Sequence, residues 1–363
     1  MARPSSAAPT TFISHDALLG LCNAALTAAG AHGDTAHSAS LALIAAHVSG
    51  KYAHGLTRLS SLCDSLRSGE ASDTPAKIRR VSPALVRIDA MENLIFPAYD
   101  HAATHLAEMA SSSGLAAAAV INARGVFGPL WYAAERVVKE SNNKCAALVL
   151  CNSAAFVAPE NGGTKRIFGT NPFCFAWPRP DGKLPMVVDF ATAASSRGEI
   201  VKRASNGTPI PSEWAVDANG MPTTDASKAL EGAQLCFGGH KGQCLSLVVE
   251  LMGSCLLGTA LGMDASDADQ QKEAGHMKRG LLIVAFDIDK CAENGHAQAL
   301  ADAERLFDAM PRVPGDARTH ARAKAEENDG MISIDANLLA KIKELTKADE
   351  DDADVPAAKR ARQ

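Results

Sequence analysis

The spacing of apolar residues changes character along this chain. Between Asp16 and Leu26 apolar positions recur with helical period, Ser14 stands where an N-cap belongs, and Gly30 stands where a helix stops. The same period predicts a second helix from about Asp34 to Val48 and a third over Leu56–Leu66, so the chain opens as a helical subdomain. From about Pro83 the pattern shortens into apolar runs that read as strands: Leu85–Ile88, Leu115–Ile121, Ala146–Leu150, Phe173–Ala176 and Met186–Val188. Helical segments at Phe96–Ser111 and Gly128–Glu140 lie between them. Turn-forming residues crowd 159–183 and 205–225. Leu245–Leu261 reads as a buried helix, Leu281–Phe286 as a late strand, and Ala297–Met310 and Ala336–Lys347 as helices. Residues 1–11, small and polar, and the acidic-then-basic stretch 348–363 read as disordered.

Composition narrows the function classes. The chain has 363 residues, 47% of them hydrophobic, enough for two or three domains with a real core. A formal net charge of -5 offers no dense basic face, which excludes a nucleic-acid partner. The nine cysteines are scattered singly without a C-x-x-C pair, which argues against a metal site or a disulfide framework and for a reducing compartment. No apolar run reaches membrane-spanning length, and the N-terminus lacks a signal-type hydrophobic region, so a cytoplasmic protein without a membrane partner is expected. None of the 28 glycines forms a G-x-G, which disfavours a Rossmann dinucleotide site. A P-loop, a G-x-S-x-G elbow and an H-E-x-x-H zinc motif are also absent from the sequence.

Five segments carry candidate chemistry. In His54-Gly55-Leu56-Thr57-Arg58, Arg58 would project one turn after His54 from the same face. The pair suits an acid/base beside a two-pronged carboxylate clamp, or is a structural pair. Phe168-Gly169-Thr170-Asn171-Pro172 reads as a tight loop leading into a strand. Asp189 closes an apolar strand, where a carboxylate must be paired or bonded; it either orients a histidine or caps a following helix. Phe237-Gly238-Gly239-His240-Lys241-Gly242 precedes a helix and is either an anion site or a plain junction. The Arg312–Arg318 loop, fixed by prolines and a glycine, carries two arginines that contact a phosphate or only solvent.

Taken in this order, these segments resemble the malate/L-lactate dehydrogenase family, whose members include malate, sulfolactate and ureidoglycolate dehydrogenases. The likeness runs from about residue 12 to 335 and includes Pro209–Asp217, Gly220–Thr224 and Arg312–Gly315. Phe237–Gly242 and Phe127-Gly128-Pro129-Leu130-Trp131 resemble its Δ1-piperideine-2-carboxylate and Δ1-pyrroline-2-carboxylate reductases. The resemblance implies a non-Rossmann α/β fold of the α+β type. A helical domain (12–75 with 297–347) would join a mixed α/β region (76–296) whose mostly antiparallel sheet binds the dinucleotide, in a homodimer. It implies His54 as proton donor with Asp189 as its orienting carboxylate, and Arg58 and Thr170 as substrate contacts. Phe127, Gly128, Thr192, His240, Lys241, Arg312 and Arg318 would line the NADPH (or NADH). No metal is implied.

Three positions depart from the family pattern. Ala53 stands where a serine is usual, Val126 where a histidine precedes Phe-Gly, and Leu62 where a tyrosine is common. Valine exchanges no proton, which counts against 2-hydroxy-acid chemistry and favours reduction of a cyclic 2-imino acid, whose protonated C=N needs less acid help than a ketone. The alternatives are a 2-oxo/2-hydroxy-acid dehydrogenase of malate/lactate type and a catalytically impaired NAD(P)-binding homologue. In each case the partner is a small carboxylate.

Overall fold

The first helix starts where the Ser14 hydroxyl accepts the Ala17 N–H at 3.3 Å. Leu18, Cys22, Ala25 and Leu26 then fall on one buried stripe of His15–Ala28 (α1). This helix packs on Gly33–Val48 (α2) and Leu59–Arg67 (α3). The computed structural model describes residues 9–125, 127–265, 278–328 and 330–347.

Thr10–Ser14 (β1) pairs antiparallel with Met331–Asp335 (β11), which joins the two ends of the described chain. Thr10 and Thr11 lie opposite Asp335 and Ile334, so the expectation of disorder over residues 1–11 is corrected at these two positions. Pairing across the strand supplies the backbone hydrogen bonds that a short polar stretch does not advertise. Residues 1–8 and the charged stretch 348–363 lie outside the described residues.

The main sheet holds Lys77–Ser82 (β2), Leu85–Asp89 (β3), Leu115–Ala123 (β4), Cys145–Cys151 (β5), Pro172–Trp177 (β6), Met186–Ala191 (β7) and Arg279–Asp287 (β10). Its order is β2-β3-β4-β10-β5-β6-β7. Within it β3 and β4 are parallel, joined through Phe96–Ser113 (α4), and the other pairs are antiparallel. Leu130–Glu140 (α5) packs on β5, β6 and α4. Alanines on β4 admit α4 closely, and the core runs unbroken from Leu18 and Leu59 through Ile88 and Tyr99 to Trp131 and Ile283. A lobe beyond β7 contains Arg197–Ser205 (α6), Ala226–Glu231 (α7) and the two-stranded Ala215–Val216/Ala233–Gln234 sheet (β8, β9). His240–Glu250 (α8) leads back to the main sheet. After β10 come Ile288–Cys291 (α9), Gly295–Asp308 (α10), Asp316–Glu326 (α11) and, after β11, Ala336–Leu345 (α12).

Two helix expectations change. The predicted third helix is preceded by two single 3₁₀ turns, Tyr52–His54 and Leu56–Arg58. Gly55 lies between them, and a Cβ there would sit 2.9 Å from the backbone nitrogen of His47 on α2. Close packing on that backbone shapes the loop. The predicted buried helix over Leu245–Leu261 is α8 followed by a π turn at Leu251–Cys255. It buries Ser246, Val249, Glu250, Gly253 and Ser254, while Leu247, Val248, Leu251 and Leu256 are exposed. This helix turns its small and polar residues inward because they bond to the loops behind it.

Candidate active site

The 3₁₀ turns at 52–58 deliver His54 and Arg58, both half-buried, to the wall of one cavity of about 490 Å³. Arg58 Nε donates to the Ala53 carbonyl at 2.7 Å, which fixes the guanidinium before any ligand arrives. Ala53 thus contributes its backbone where it offers no hydroxyl. Phe127, Gly128 and Thr170 line the same cavity, so five of the eleven sequence-predicted site residues (His54, Arg58, Phe127, Gly128 and Thr170) come together here. Val126, the expected departure beside Phe127, lies outside the described residues. Leu62 is buried in the core.

Thr170 sits on a turn held from behind. Its N–H donates to Ser153 Oγ at 3.1 Å, and the Asn171 side-chain oxygen accepts the Ser153 N–H at 3.3 Å. Gly169 is required in this turn, since a Cβ there would lie 2.2 Å from Ser153 Oγ. Thr192 is fully buried, and its hydroxyl donates to the Asn171 carbonyl at 2.9 Å. Thr192 therefore supports the turn from behind and does not line this cavity.

Asp189 also changes role. It is not among the residues lining the cavity; its Oδ2 accepts the Trp131 N–H at 3.0 Å, in the first turn of α5. The helix it caps precedes it in the chain rather than following it. Burial pushes its carboxyl up to about 6, while the Trp131 N–H and then the Arg318 and Lys51 charges pull the other way. Arg318 is buried, donates to the Val187 carbonyl at 3.1 Å and stacks on the Trp131 ring at 5.5 Å. In this structure Arg318 packs beneath α5 and does not line the cavity. Arg312 is exposed on the loop between α10 and α11, and His240 and Lys241 are exposed at the start of α8; none of the three lines the cavity.

The cavity also holds residues that the sequence reading passed over. Arg197, Glu199 and Lys202 come from α6, Arg279 from the start of β10, and Asn152 and Ser153 from the end of β5. Arg197 stacks on Phe156 at 4.8 Å, and Arg279 stacks on Phe127 at 4.2 Å and donates to the Gly125 carbonyl. Ser196 caps α6 by accepting the Glu199 N–H at 3.2 Å. This Ser-x-x-Glu spacing is a capping-box signature that would have located the helix start, and with it Arg197 and Glu199. The four cationic side chains around the cavity, Arg58, Arg197, Lys202 and Arg279, suit a ligand with several negative charges, such as a dinucleotide beside a carboxylate. Among the described residues no group of three or more His, Cys, Asp or Glu gathers as a metal ligand set, and no helix is long and apolar enough to cross a membrane.

A family model described as malate/L-lactate dehydrogenase matches residues 13–343. The chain belongs to the malate/L-lactate dehydrogenase family. It is therefore an oxidoreductase with a mixed α/β fold and a nicotinamide cofactor. It is 39% identical over 286 residues to Delta(1)-pyrroline-2-carboxylate reductase 2 of Burkholderia multivorans, covering 77% of this chain and 82% of that one. It is 34% identical to the (2R)-3-sulfolactate dehydrogenase (NADP(+)) of Chromohalobacter salexigens, over 85% of this chain and 91% of the relative. The crystal structure of Δ1-piperideine-2-carboxylate reductase from Pseudomonas syringae pv. tomato superposes with a TM-score of 0.83 at 30% identity, covering 92% of this chain and 99% of that one.

Proposed function

We propose that this protein reduces a small cyclic 2-imino acid, Δ1-pyrroline-2-carboxylate or Δ1-piperideine-2-carboxylate, to the L-amino acid with NADPH. The observation that carries this reading is the meeting of His54, Arg58 and Thr170 in one cavity whose other charged residues are mostly cationic. The names of the relatives support the substrate class. The sulfolactate dehydrogenase supports NADPH over NADH.

The chain's own residues divide the work. Arg58, whose Nε is held by the Ala53 carbonyl, lines the cavity and is the guanidinium for the substrate carboxylate. Thr170, which lines the same cavity, contacts the substrate. Arg197, Lys202 and Arg279 offer charge to phosphates, and the Phe127 and Phe156 rings offer flat apolar surface. When bound, the reduced dinucleotide supplies a hydride for C2. His54 holds the proton of the imine nitrogen, so the C=N electron pair moves to nitrogen as C2 accepts hydride, leaving a neutral amine. Glu199 lines the same cavity, paired with Arg203 at 2.8 Å, and is the carboxylate we assign to act with His54, since Asp189 does not line it.

A cytoplasmic homodimer belongs to the same proposal. The half-exposed Leu247 and Val248 of α8 and Leu251 just after it support a partner surface, as do the exposed Phe190 and Phe237, whose rings meet each other. The deciding experiment follows NADPH absorbance with purified protein and Δ1-piperideine-2-carboxylate, beside pyruvate, oxaloacetate and an NADH control. Turnover of the cyclic imine is expected. Turnover of the oxo acids alone, or cofactor binding without turnover, would refute the reading.

A further inference from the structure

Behind the substrate wall lies Glu250, a carboxylate with 5% of its surface exposed. Its Oε1 accepts Asn152 Nδ2 at 3.1 Å and the Gly262 N–H at 2.7 Å, and its Oε2 accepts Asn171 Nδ2 at 2.7 Å. All three donors are neutral, so they stabilise the charge without cancelling it. Each bond leads toward the cavity. Asn152 lines it directly, and Asn171 holds Ser153, which in turn holds Thr170.

The surrounding charges give this arrangement a consequence. Arg58, Arg197, Lys202 and Arg279 make the cavity favourable to carboxylate and phosphate and unfavourable to a cation. A protonated imine carries its positive charge on the ring nitrogen. Glu199, the carboxylate on the wall, is already paired with Arg203. Glu250 is a second negative charge, bonded directly to Asn152 on the cavity wall and linked to Thr170 through Asn171 and Ser153. In an interior of low effective dielectric such a charge acts across several ångströms.

We infer that Glu250 is a positioning and specificity-determining residue: its buried charge and its grip on Asn152 and Asn171 favour a cyclic 2-imino acid, whose ring nitrogen is cationic, over a 2-oxo acid, whose carbonyl is neutral. This inference rests on the imino-acid reading above. A ketone gains nothing from the charge, whereas an iminium does, so the effect is read in a ratio of substrates rather than in stability.

The test compares kcat/KM for Δ1-piperideine-2-carboxylate and for pyruvate in wild type, Glu250→Gln and Glu250→Asp. Glutamine keeps the shape but sets an NH₂ against one of three donors and removes the charge. Its imine-to-oxo-acid ratio is expected to fall at least about tenfold, with Glu250→Asp retaining most of it. A second measurement needs no variant: wild type is titrated with pyrrolidine-2-carboxylate and with tetrahydrofuran-2-carboxylate, which differ in a protonated ring nitrogen against a neutral ring oxygen. At least about tenfold tighter binding of the amine is expected. An unchanged ratio in Glu250→Gln, or equal binding of the two rings by wild type, overturns the inference and leaves the imino-acid reading standing. A wild type inert toward the imine overturns both.

Discussion

Asp189→Asn separates a catalytic carboxylate from a helix cap. In the structure Asp189 Oδ2 accepts the Trp131 N–H, and burial raises its carboxyl from 3.8 to about 6. Because the folded value lies above the unfolded one, the stability Asp189 lends is complete below pH ~4 and is lost as pH rises through about 6. A rise of roughly two units corresponds to about 3 kcal/mol at most, of which about 1.5 kcal/mol falls between pH 5 and pH 8. Asparagine keeps an oxygen for the Trp131 N–H but cannot ionise. Its stability relative to wild type should therefore improve by about 1.5 kcal/mol between pH 5 and pH 8. Urea unfolding of both proteins at several pH values across that range measures the gap. A gap that stays flat, or moves toward wild type, refutes the electrostatic reasoning. The same variant should keep kcat within a few-fold; a loss of about 10²–10⁴ would restore Asp189 to the acid/base machinery.

The remaining expectations concern the loop, the clamp and the assembly. His54→Asn should lower kcat about 10²–10⁴-fold while NADPH still quenches protein fluorescence with unchanged affinity; full activity would remove His54 as proton donor. Arg58→Met should raise KM for the imino acid at least about tenfold, and an unchanged KM would take Arg58 out of the clamp. Gly55→Ala forces a Cβ to 2.9 Å from the His47 nitrogen and should destabilise the fold by about 1–3 kcal/mol in urea titration; a change within about 0.5 kcal/mol would show that the loop gives way easily. Leu247→Glu with Leu251→Glu should shift a dimer to monomer in sedimentation velocity, and a monomeric wild type would refute the proposed interface.

How far the sequence was legible follows from where each signal lies. The helices α1, α2 and α4 and the strands β3 to β7 were readable because each buries one face or both, and burial imposes a period. The edge strand β2 was missed: all six of its residues are exposed, so Lys77, Arg79 and Arg80 show no alternation. The helix α8 misled for the opposite reason. Its outward leucines look like core, while its buried face is built from Ser246, Glu250 and Ser254.

The site divides along the same line. Local spacing marks His54 and Arg58, four residues apart, as a pair and Thr170 only as part of a tight turn; their roles were legible only through the family resemblance. Asp189 was legible as a carboxylate needing a partner, but the identity of that partner was not. Its donor comes from Trp131 on α5, across the fold from the end of β7. Arg279 carries no local signal at all. It reaches the cavity because β10, late in the chain, inserts between β4 and β5, which places its first residue beside Phe127 and Gly125. Asn152 ends the neighbouring strand, and Glu250 meets it from α8, 98 residues further on. The charge balance of this cavity is thus set by strand order. Local spacing marks the His54/Arg58 pair and the start of α6 with Arg197, whereas only the topology brings Arg279 and the buried carboxylate of Glu250 to the same cavity.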